Sequence, residues 1–551
     1  MEQYNLSLLF PHEDEYSTRQ LDENVINDLS IDFICNELSN NDKEQRWIKD
    51  IFINICDDEE VIKYRSDIFE DLLMSTNLRK RLEEQLRELS FLSDIRSTPM
   101  EGEESSIWQL ILRLRELDSY GKSIINIRDI LKEENLKSSG LLRLRKVVEE
   151  VAESNGFKYL IEDVKELNNK VGNIKSITLG INLDEDLNPS EVTIVSLNEN
   201  KFSNSSFLKK FISFTQVMAN NAGNSTVSVE DAFNGVSGIN KSEKNFLKNN
   251  LTKDIEKIMK TLVNDLKKVL RKYISTNVKF LVDLIPEITY YIRCANMVEK
   301  IRSIGMPMCR SKVLSKYSNI IDIKEVYNIK LAFYLYKNRK NVDEIVTNDI
   351  KFNDDARIFI LTGPNRGGKT TFTQAIGLVQ VFFQGGIYVP GSNAEISPVD
   401  SIYTHFPIDE NKTVELGRLG EEVKRLNSIF ENATDKSLIL LNESLATTSH
   451  IEGLYIAKDV VKGFRYLGAR VLFNTHMHDL AEAVDEINRD IEGKSNVASL
   501  VTGIDKGKRS YKVYFAPPLG ISYAKDIAEK YGVTFEMIKE NIERQNIKIK
   551  E

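Results

Sequence analysis

The sequence feature that most constrains the fold is the stretch RIFILTGPNRGGKTT, which occupies residues Arg357–Thr371. Its apolar residues Ile358–Leu361 have the character of a buried strand in a parallel sheet. The pattern Gly-x-x-x-x-Gly-Lys-Thr follows at residues 363–370, and Thr371–Val381 has the spacing of a helix. A strand, a glycine-rich loop and a helix in this order predict a phosphate-binding loop. The alternative is a glycine-rich turn between a strand and a helix that binds no ligand.

The residue types of this loop suit contact with phosphate groups. Glycines allow backbone N–H groups to close around phosphate oxygens, and the N-terminus of the helix adds partial positive charge. The ammonium group of Lys369 would reach the β- and γ-phosphates, and the hydroxyl group of Thr370 would ligate Mg²⁺. The predicted nucleotide-binding residues are Gly363, Pro364, Asn365, Gly367, Gly368, Lys369, Thr370 and Thr371.

Two further apolar segments end in polar residues that suit the same site. The first, SLILLNE at Ser437–Glu443, predicts a strand that lies beside the strand before the loop and ends near the magnesium ion. Glu443 would hold and polarise the attacking water, and Asn442 would hydrogen-bond the water shell of the metal. The second, RVLFN at Arg470–Asn474, predicts a strand that brings His476 to the same edge of the sheet, where it would sense the γ-phosphate.

Together these residues predict hydrolysis of MgATP by in-line attack of water, in which the protein supplies position and electrostatic stabilisation. The predicted catalytic residues are Lys369, Glu443 and His476, and the predicted metal-binding residues are Thr370 and Asn442. The alternative of a metal site at His405 or at the pair His476 and His478 is disfavoured. No cysteine or further histidine lies at the spacing that zinc requires.

Length and composition describe an ordinary globular protein. The chain of 551 residues is long enough for about two to four domains. Because the net charge is −9, contact with DNA would need a local basic patch. The N-terminus becomes acidic before an apolar core can form, and no run of about 18 apolar residues occurs. No signal peptide or membrane span is expected, and four scattered cysteines predict buried thiols in a reducing cytoplasm.

The first 345 residues are predicted to be helical, with one β insertion near 173–202. Apolar residues recur at helical steps from residue 1 to about 155. The segments Lys175–Leu183 and Glu191–Leu197 are β-branched and partly alternating, and Asn188-Pro189-Ser190 lies between them as a turn. Such an insertion could be a binding tip or could pack against the helices.

Two more predictions concern the region before the phosphate loop. The segment Ala219–Asn240 is rich in Asn, Gly and Ser and predicts a loop. One long amphipathic helix is expected over residues 243–285, with Pro286 ending or kinking it. Residues 331–347 would join this part to a nucleotide domain, so that the predicted domains are 1–345 and 346–551.

The sequence from residue 350 to about 545 resembles one family in several consecutive motifs. The loop sequence TGPNRGGKTT (Thr362–Thr371) resembles the ATPase loop of MutS proteins, whose usual form is TGPNMGGKST. The further matches are YVPGSNAEISPVDSIYTHF (Tyr388–Phe406), LILLNES (Leu438–Ser444), EGLYIA (Glu452–Ala457), FNTHMHDL (Phe473–Leu480) and SYAKDIAEKYGVTFEMIKENIER (Ser522–Arg544). The last of these is similar to the helical segment through which that family dimerises.

The resemblance implies an α+β multidomain protein. A helical core and lever arm, with the β insertion at the position of the clamp, would precede an ABC-type α/β P-loop ATPase with a C-terminal helical dimerisation segment at about 520–551. It implies ATP and Mg²⁺ as cofactors, a homodimer with composite ATP sites, and a DNA clamp related to mismatch repair. Candidate contacts to DNA phosphates are Lys175, Lys201, Lys209, Lys210, Lys253, Lys257, Lys260, Lys267 and Lys268.

The sequence also departs from the family. It opens directly into the helical core without the Phe-x-Glu wedge, so mismatch recognition by that wedge is not expected. The absence of a C-terminal nuclease-like module is expected to separate it from the second bacterial MutS branch. Asn442-Glu443 stands where the family has Asp-Glu, which predicts weaker Mg²⁺ binding and slow turnover. Arg418 lies where the family's trans-acting loop is replaced, and it would stabilise phosphate charge across the dimer interface.

Two other functions stay open at this stage. A regulatory or scaffolding ATPase could clamp a protein or ribonucleoprotein instead of DNA, which the net charge of −9 favours. A nucleotide-locked dimer with negligible turnover is the other alternative, and Asn442 is the residue that favours it.

Overall fold

A computed structural model of the protein describes part of the chain. The described residues are 6–12, 16–96, 107–172, 174–183, 185, 189–198, 200, 259–273, 279–364, 366–407, 417–446, 448–505, 508–517 and 531–548. They form a mixed helical and sheet structure that divides into two compact units. The described residues of Arg81–Asn135 and Arg143–Ile285 belong to the first unit, and those of Leu6–Lys80, Leu136–Leu142 and Pro286–Glu551 belong to the second.

The helices and strands are numbered here in chain order. The helices are α1 (Glu23–Asp28), α2 (Ile31–Leu38), α3 (Asp42–Ile53), α4 (Glu59–Met74), α5 (Thr76–Arg96), α6 (Ile107–Glu133), α7 (Ser139–Glu153), α8 (Asn155–Gly172), α9 (Lys260–Arg271), α10 (Lys279–Ser303), α11 (Ile329–Lys337), α12 (Lys369–Gln384), α13 (Gly417–Asn432), α14 (His450–Leu467), α15 (His478–Glu482), α16 (Val484–Asp490) and α17 (Phe535–Lys548). The strands are β1 (Arg19–Gln20), β2 (Asn54–Ile55), β3 (Ser176–Leu183), β4 (Pro189–Asn198), β5 (Met308–Cys309), β6 (Lys312–Val313), β7 (Ile321–Val326), β8 (Asn348–Phe352), β9 (Ile358–Thr362), β10 (Val389–Pro390), β11 (Asn393–Ile396), β12 (Ile402–His405), β13 (Leu438–Asn442), β14 (Arg470–Asn474), β15 (Val497–Asp505) and β16 (Lys508–Phe515).

The first unit contains a helical layer and a β hairpin. Helix α9 packs on α6 and α8, and polar contacts at its end fix the packing: Arg113 donates to the carbonyl oxygen of Tyr273 (2.9 Å), and the Tyr273 hydroxyl donates to Asp163 (2.7 Å). Strands β3 and β4 pair antiparallel, so the predicted β insertion is confirmed. Its second strand begins at Pro189, so Pro189 and Ser190 of the expected turn belong to the strand, and Asn188 lies outside the described residues.

The prediction of one helix over residues 243–285 is wrong in its described part. Helix α9 ends at Arg271, where the N–H groups of Lys272 and Tyr273 bond to carbonyls three residues back and close the last turn. Nor does Pro286 end a helix, because α10 continues through it to Ser303. The residues that follow Pro286 in α10 are largely apolar and buried, and this packing outweighs the local preference of proline. The predicted loop at 219–240 lies outside the described residues.

The second unit is organised around a six-stranded sheet in the order β12-β13-β14-β9-β15-β16. All neighbouring strands are parallel except the last pair, β15 and β16, which is antiparallel. Every residue of β9, β13 and β14 is buried, which is why these strands read as unbroken apolar runs with a polar end.

The order of the strands corrects one prediction. Strand β13 was expected beside β9, but β14 lies between them and pairs with both. Because all three strands are fully buried, their sequences share one pattern, and the pattern carries no information on the order of the strands. The carboxyl ends of the three parallel strands still meet at one edge of the sheet.

The N-terminal helices pack within the second unit. The buried Arg65 of α4 donates to the carbonyl oxygen of Gln384 at the end of α12 (3.0 Å), and the Gln384 amide donates to the carbonyl oxygen of Cys56 (2.9 Å). Backbone carbonyls that would otherwise be buried without donors are satisfied in this way. The four cysteines are free, and the prediction of burial is confirmed for three of them, with Cys309 partly exposed. None of the described helices is long and apolar enough to cross a membrane.

Candidate functional site

The loop between β9 and α12 adopts a conformation that only glycine fits at two positions. Gly363 and Gly368 have φ angles of 141° and 86°, in the region that side chains disfavour. A Cβ atom at Gly363 would lie 2.0 Å from the Thr502 Oγ1 atom, and one at Gly367 would lie 2.8 Å from the Pro364 carbonyl oxygen. The glycines therefore let the backbone pass close to β15 and close on itself. Asn365 of the predicted set lies outside the described residues.

Lys369 is the first residue of α12, and its side chain is buried. Its Nζ atom donates to the carbonyl oxygens of Gly363 (3.1 Å) and Pro364 (3.3 Å), so the loop holds the ammonium group above its own backbone. Burial lowers the pKa of Lys369 to about 8, and the nearby Glu443 carboxylate opposes that shift. An anion bound in the loop would raise the pKa of Lys369 again, because negative charge beside the ammonium group stabilises its charged form.

Thr370 lies in a hydrogen-bonded group with the last residues of two strands. Its hydroxyl donates to Oδ1 of Asn442 (2.9 Å), and Nδ2 of Asn474 donates to the same oxygen. Asn442 and Asn474 are register partners in β13 and β14, so their side chains leave the sheet at the same level. Asn474 is not among the site residues predicted from the sequence. The signal was present, because both segments, LILLN and RVLFN, end in Asn.

Glu443 and His476 follow β13 and β14 and contact each other. The His476 Nε2 atom lies 2.9 Å from the Glu443 Oε1 atom, and both side chains are 37% exposed. The hydrogen bond from His476 lowers the pKa of Glu443, with further lowering by the charges of His476 and Lys369. Glu443 has a φ angle of 54°, and its N–H group donates to the Asn474 carbonyl oxygen (2.8 Å), which fixes its backbone in this conformation.

A cavity of about 740 Å³ joins these groups. Its polar lining includes Lys369, Thr370 and Thr371 after the loop, and Glu443 after β13. Its apolar lining includes Leu331, Leu335, Ile345 and Phe372, and Tyr511 also lines it. A cavity of this size with polar and apolar lining residues suits a nucleotide. No motif marks Tyr511 in the sequence; it lies on β16 with a φ angle of 56°.

The structure brings Lys369, Thr370 and Glu443 to one cavity, and His476 and Asn442 reach it through their bonds to Glu443 and Thr370. His405 lies elsewhere, buried in β12, with one ring nitrogen 2.7 Å from the Ser444 hydroxyl. Burial lowers its pKa to about 4. Within the described part of the chain, no group of three or more His, Cys, Asp or Glu side chains could hold a metal ion.

The remaining candidates are only partly described. Arg418 is the second residue of α13, and its predicted role stays a prediction. Of the candidate DNA contacts, Lys175, Lys260 and Lys268 are exposed and Lys267 is half-buried. The other five, Lys201, Lys209, Lys210, Lys253 and Lys257, lie outside the described residues.

Comparison with known families agrees with this geometry. The family model described as MutS domain V matches residues 359–538, and the model described as MutS2 N-terminal domain matches residues 57–304. The chain belongs to the MutS family. The MutS domain V match contains the loop from Gly363 onwards, Glu443 and His476. The sequence is expected to differ from the second bacterial MutS branch. The MutS2 match corrects that expectation for residues 57–304, which are similar to the N-terminal domain of that branch.

Individual MutS relatives are similar over shorter stretches. The DNA mismatch repair protein MutS of Chlorobium phaeobacteroides is 39% identical over 141 residues, which are 25% of this chain and 16% of the relative. That of Macrococcus caseolyticus is 29% identical over 210 residues (37% and 24%), and the DNA mismatch repair protein MutS 2 of Halobacterium salinarum is 32% identical over 189 residues (34% and 21%). The matched region thus spans less than a quarter of the length of these three relatives.

Proposed function

We propose that this MutS-family chain is an ATPase that binds and hydrolyses ATP with Mg²⁺ in the cavity beside the phosphate loop. The observation that carries the proposal is the convergence of Lys369, Thr370 and Glu443 on one cavity at the carboxyl edge of a parallel sheet. A cation, a metal-binding hydroxyl and an ionised carboxylate at this place match what hydrolysis of a nucleoside triphosphate requires. The domain V match supports the same reading.

The residues present fit ATP and Mg²⁺. Gly363 and Gly368 give the loop two positive φ angles, as expected of a loop whose backbone N–H groups close around phosphate oxygens. Thr370 and Asn442 provide oxygen atoms, the type of ligand that Mg²⁺ and its bound waters prefer. When bound, Mg²⁺ would neutralise negative charge on the β- and γ-phosphate oxygens.

Each of three side chains would have a separate role in hydrolysis. Lys369 would exchange its bonds to the loop carbonyls for bonds to the β- and γ-phosphates. The Glu443 carboxylate, ionised because of its low pKa, would accept a proton from the attacking water and orient it in line with the bond to be broken. His476 would hold the Glu443 carboxylate in place through the 2.9 Å hydrogen bond.

The wider architecture is part of the same proposal. Residues 1–345 would form a helical core and lever arm with the β3–β4 hairpin, and residues 346–551 an ABC-type ATPase domain in a cytoplasmic homodimer with composite ATP sites. Exposed apolar residues of α17, among them Phe535 (74% exposed) and Ile542 (52% exposed), support a dimer contact in the segment 520–551. The relatives named DNA mismatch repair proteins support DNA as the partner, with the ATP state controlling a clamp.

The test is to measure ATP binding and single-turnover hydrolysis with the purified full chain, and then its binding to homoduplex, mismatched, branched and single-stranded DNA with and without ATP. Hydrolysis, together with DNA affinity that falls steeply as salt rises, supports the proposal. Absence of ATP binding would refute it. ATP hydrolysis without DNA affinity at low salt would favour the second candidate, a regulatory ATPase that clamps a protein or ribonucleoprotein, which the net charge of −9 supports.

A further inference from the structure

The side-chain amide of Asn474 is hydrogen-bonded through its nitrogen atom, while its oxygen atom has no partner among the residues that the structure describes. Asn474 ends β14 and is fully buried, and its Nδ2 atom donates to Oδ1 of Asn442. Its own Oδ1 atom makes no hydrogen bond within the described part of the chain. A buried acceptor without a donor is unfavourable, and most such groups in folded proteins are satisfied by water or a ligand. The position therefore indicates an occupant that brings a donor.

The group beside this amide indicates the occupant. The Nδ2 atom of Asn474 lies 3.5 Å from the Thr370 hydroxyl oxygen and faces one of its lone pairs, so the amide is adjacent to the proposed metal-binding hydroxyl. Thr370 donates its proton to Asn442, and the second lone pair of its oxygen is left for a cation. Because Mg²⁺ keeps several of its waters when it binds beside phosphates, a metal-bound water is a suitable donor for the free amide oxygen.

We propose that Asn474 is a positioning residue for the magnesium ion, an inference that rests on the proposed function of the cavity. Its nitrogen fixes the Asn442 amide so that Asn442 accepts the Thr370 proton, and its oxygen accepts a hydrogen bond from a water of the ion. Two neutral amides on adjacent strands thus hold the ion's water shell where the family motif has a carboxylate. Groups that orient metal ligands in this way typically change metal affinity about 10- to 100-fold when removed.

The experiment measures how much Mg²⁺ improves nucleotide binding. The affinity for a non-hydrolysable ATP analogue is determined by calorimetry in Mg²⁺ and in EDTA, and the ratio of the two affinities is compared among variants. Asn474→Ala should reduce this ratio about 10-fold and leave the affinity in EDTA unchanged. Asn488→Ala is the matched control, because it removes two hydrogen bonds to the Val497 backbone outside the cavity and should leave the ratio unchanged.

A second variant covers the case in which the alanine variant does not fold. Asn474→Leu has nearly the same shape and size but neither the donor nor the acceptor of the amide, so it should lower the Mg²⁺ ratio as the alanine variant does. The inference is wrong if every variant that folds keeps the wild-type ratio of affinities in Mg²⁺ and in EDTA. It is also wrong if Asn474→Ala weakens binding of the analogue equally under the two conditions. In either case the wild type still binds the analogue. Failure of the wild type to bind it at all would instead overturn the proposed function, and the inference with it.

Discussion

The phosphate loop and the strand-end polar group, defined as Asn442, Glu443, Asn474 and His476, meet at one cavity, which Glu443 of the second group lines, but they are held by different interactions. The loop owes its shape to the backbone, with glycines in left-handed conformations and no room for a Cβ atom at Gly363. The strand-end group owes its shape to side chains that hydrogen-bond to one another across β13 and β14.

Because the two regions are held differently, substitutions in them should have different effects. A substitution in the loop alters the backbone that would surround the phosphates, so it should change both stability and nucleotide affinity. A substitution in the strand-end group removes a hydrogen bond between side chains and leaves the sheet intact. It should therefore change the hydrolysis rate or the Mg²⁺ requirement, while nucleotide still binds.

The largest effect is expected for Glu443→Gln. The amide cannot accept the proton of the attacking water, so the single-turnover rate of ATP hydrolysis should fall at least about 100-fold. Affinity for ATP should stay close to that of the wild type, because Glu443 is not part of the loop. A loss of affinity that parallels the loss of rate would show that the two regions are not separable in this way.

Gly363→Ala should show the opposite behaviour. Alanine at a φ angle of 141°, with its Cβ atom directed at Thr502, should destabilise the fold by about 1–3 kcal/mol and weaken ATP binding. Thermal unfolding and nucleotide affinity are the measurements. Thr502→Val is the control: it replaces a buried hydroxyl group that has no hydrogen-bond partner in the described structure by a methyl group of similar size, so stability should not fall. Normal ATP binding by Gly363→Ala would contradict the steric argument.

A smaller effect concerns the pH dependence of nucleotide binding. The pKa of Lys369 without nucleotide is about 8, so its charge is lost as the pH rises through 8. Because bound phosphate favours the charged form, ATP affinity should be constant below that pH and decrease above it, by at most about 10-fold per pH unit. Lys369→Met should bind ATP weakly and lack this step. A wild-type affinity that is flat from pH 7 to pH 9 would refute the assignment.

The smallest effect is expected for Asn442→Asp. A carboxylate would receive charge-assisted hydrogen bonds from Thr370 and Asn474 and would add negative charge beside the metal. The Mg²⁺ concentration for half-maximal hydrolysis should therefore decrease several-fold, and turnover should increase. An unchanged Mg²⁺ requirement would indicate that the Asn at this position does not limit metal binding.

The sequence predicted the parts of the site that local chemistry determines. The loop pattern predicted the strand β9, the glycine turn and the helix α12, because each of these follows from residues that are adjacent in the chain. The β hairpin was likewise visible in its alternating, β-branched residues. The ends of β13 and β14 were placed at one edge of the sheet, since carboxyl ends of parallel strands meet there.

What the sequence could not predict depends on contacts distant in the chain. The strand order was wrong because β9, β13 and β14 share one apolar pattern. The helical break after Arg271 and the continuation of α10 through Pro286 depend on tertiary packing. Tyr511 reaches the cavity from a strand more than a hundred residues after the loop, with no motif to mark it.

A crystal structure with a non-hydrolysable ATP analogue and Mg²⁺ would show whether Lys369, Thr370 and Glu443 act on one nucleotide. The β- and γ-phosphates should lie at the Lys369 ammonium group, the ion at the Thr370 hydroxyl, and a water between the γ-phosphate and the Glu443 carboxylate. An analogue bound away from the loop, or with its phosphates out of reach of Glu443, would show that these three residues do not form one site.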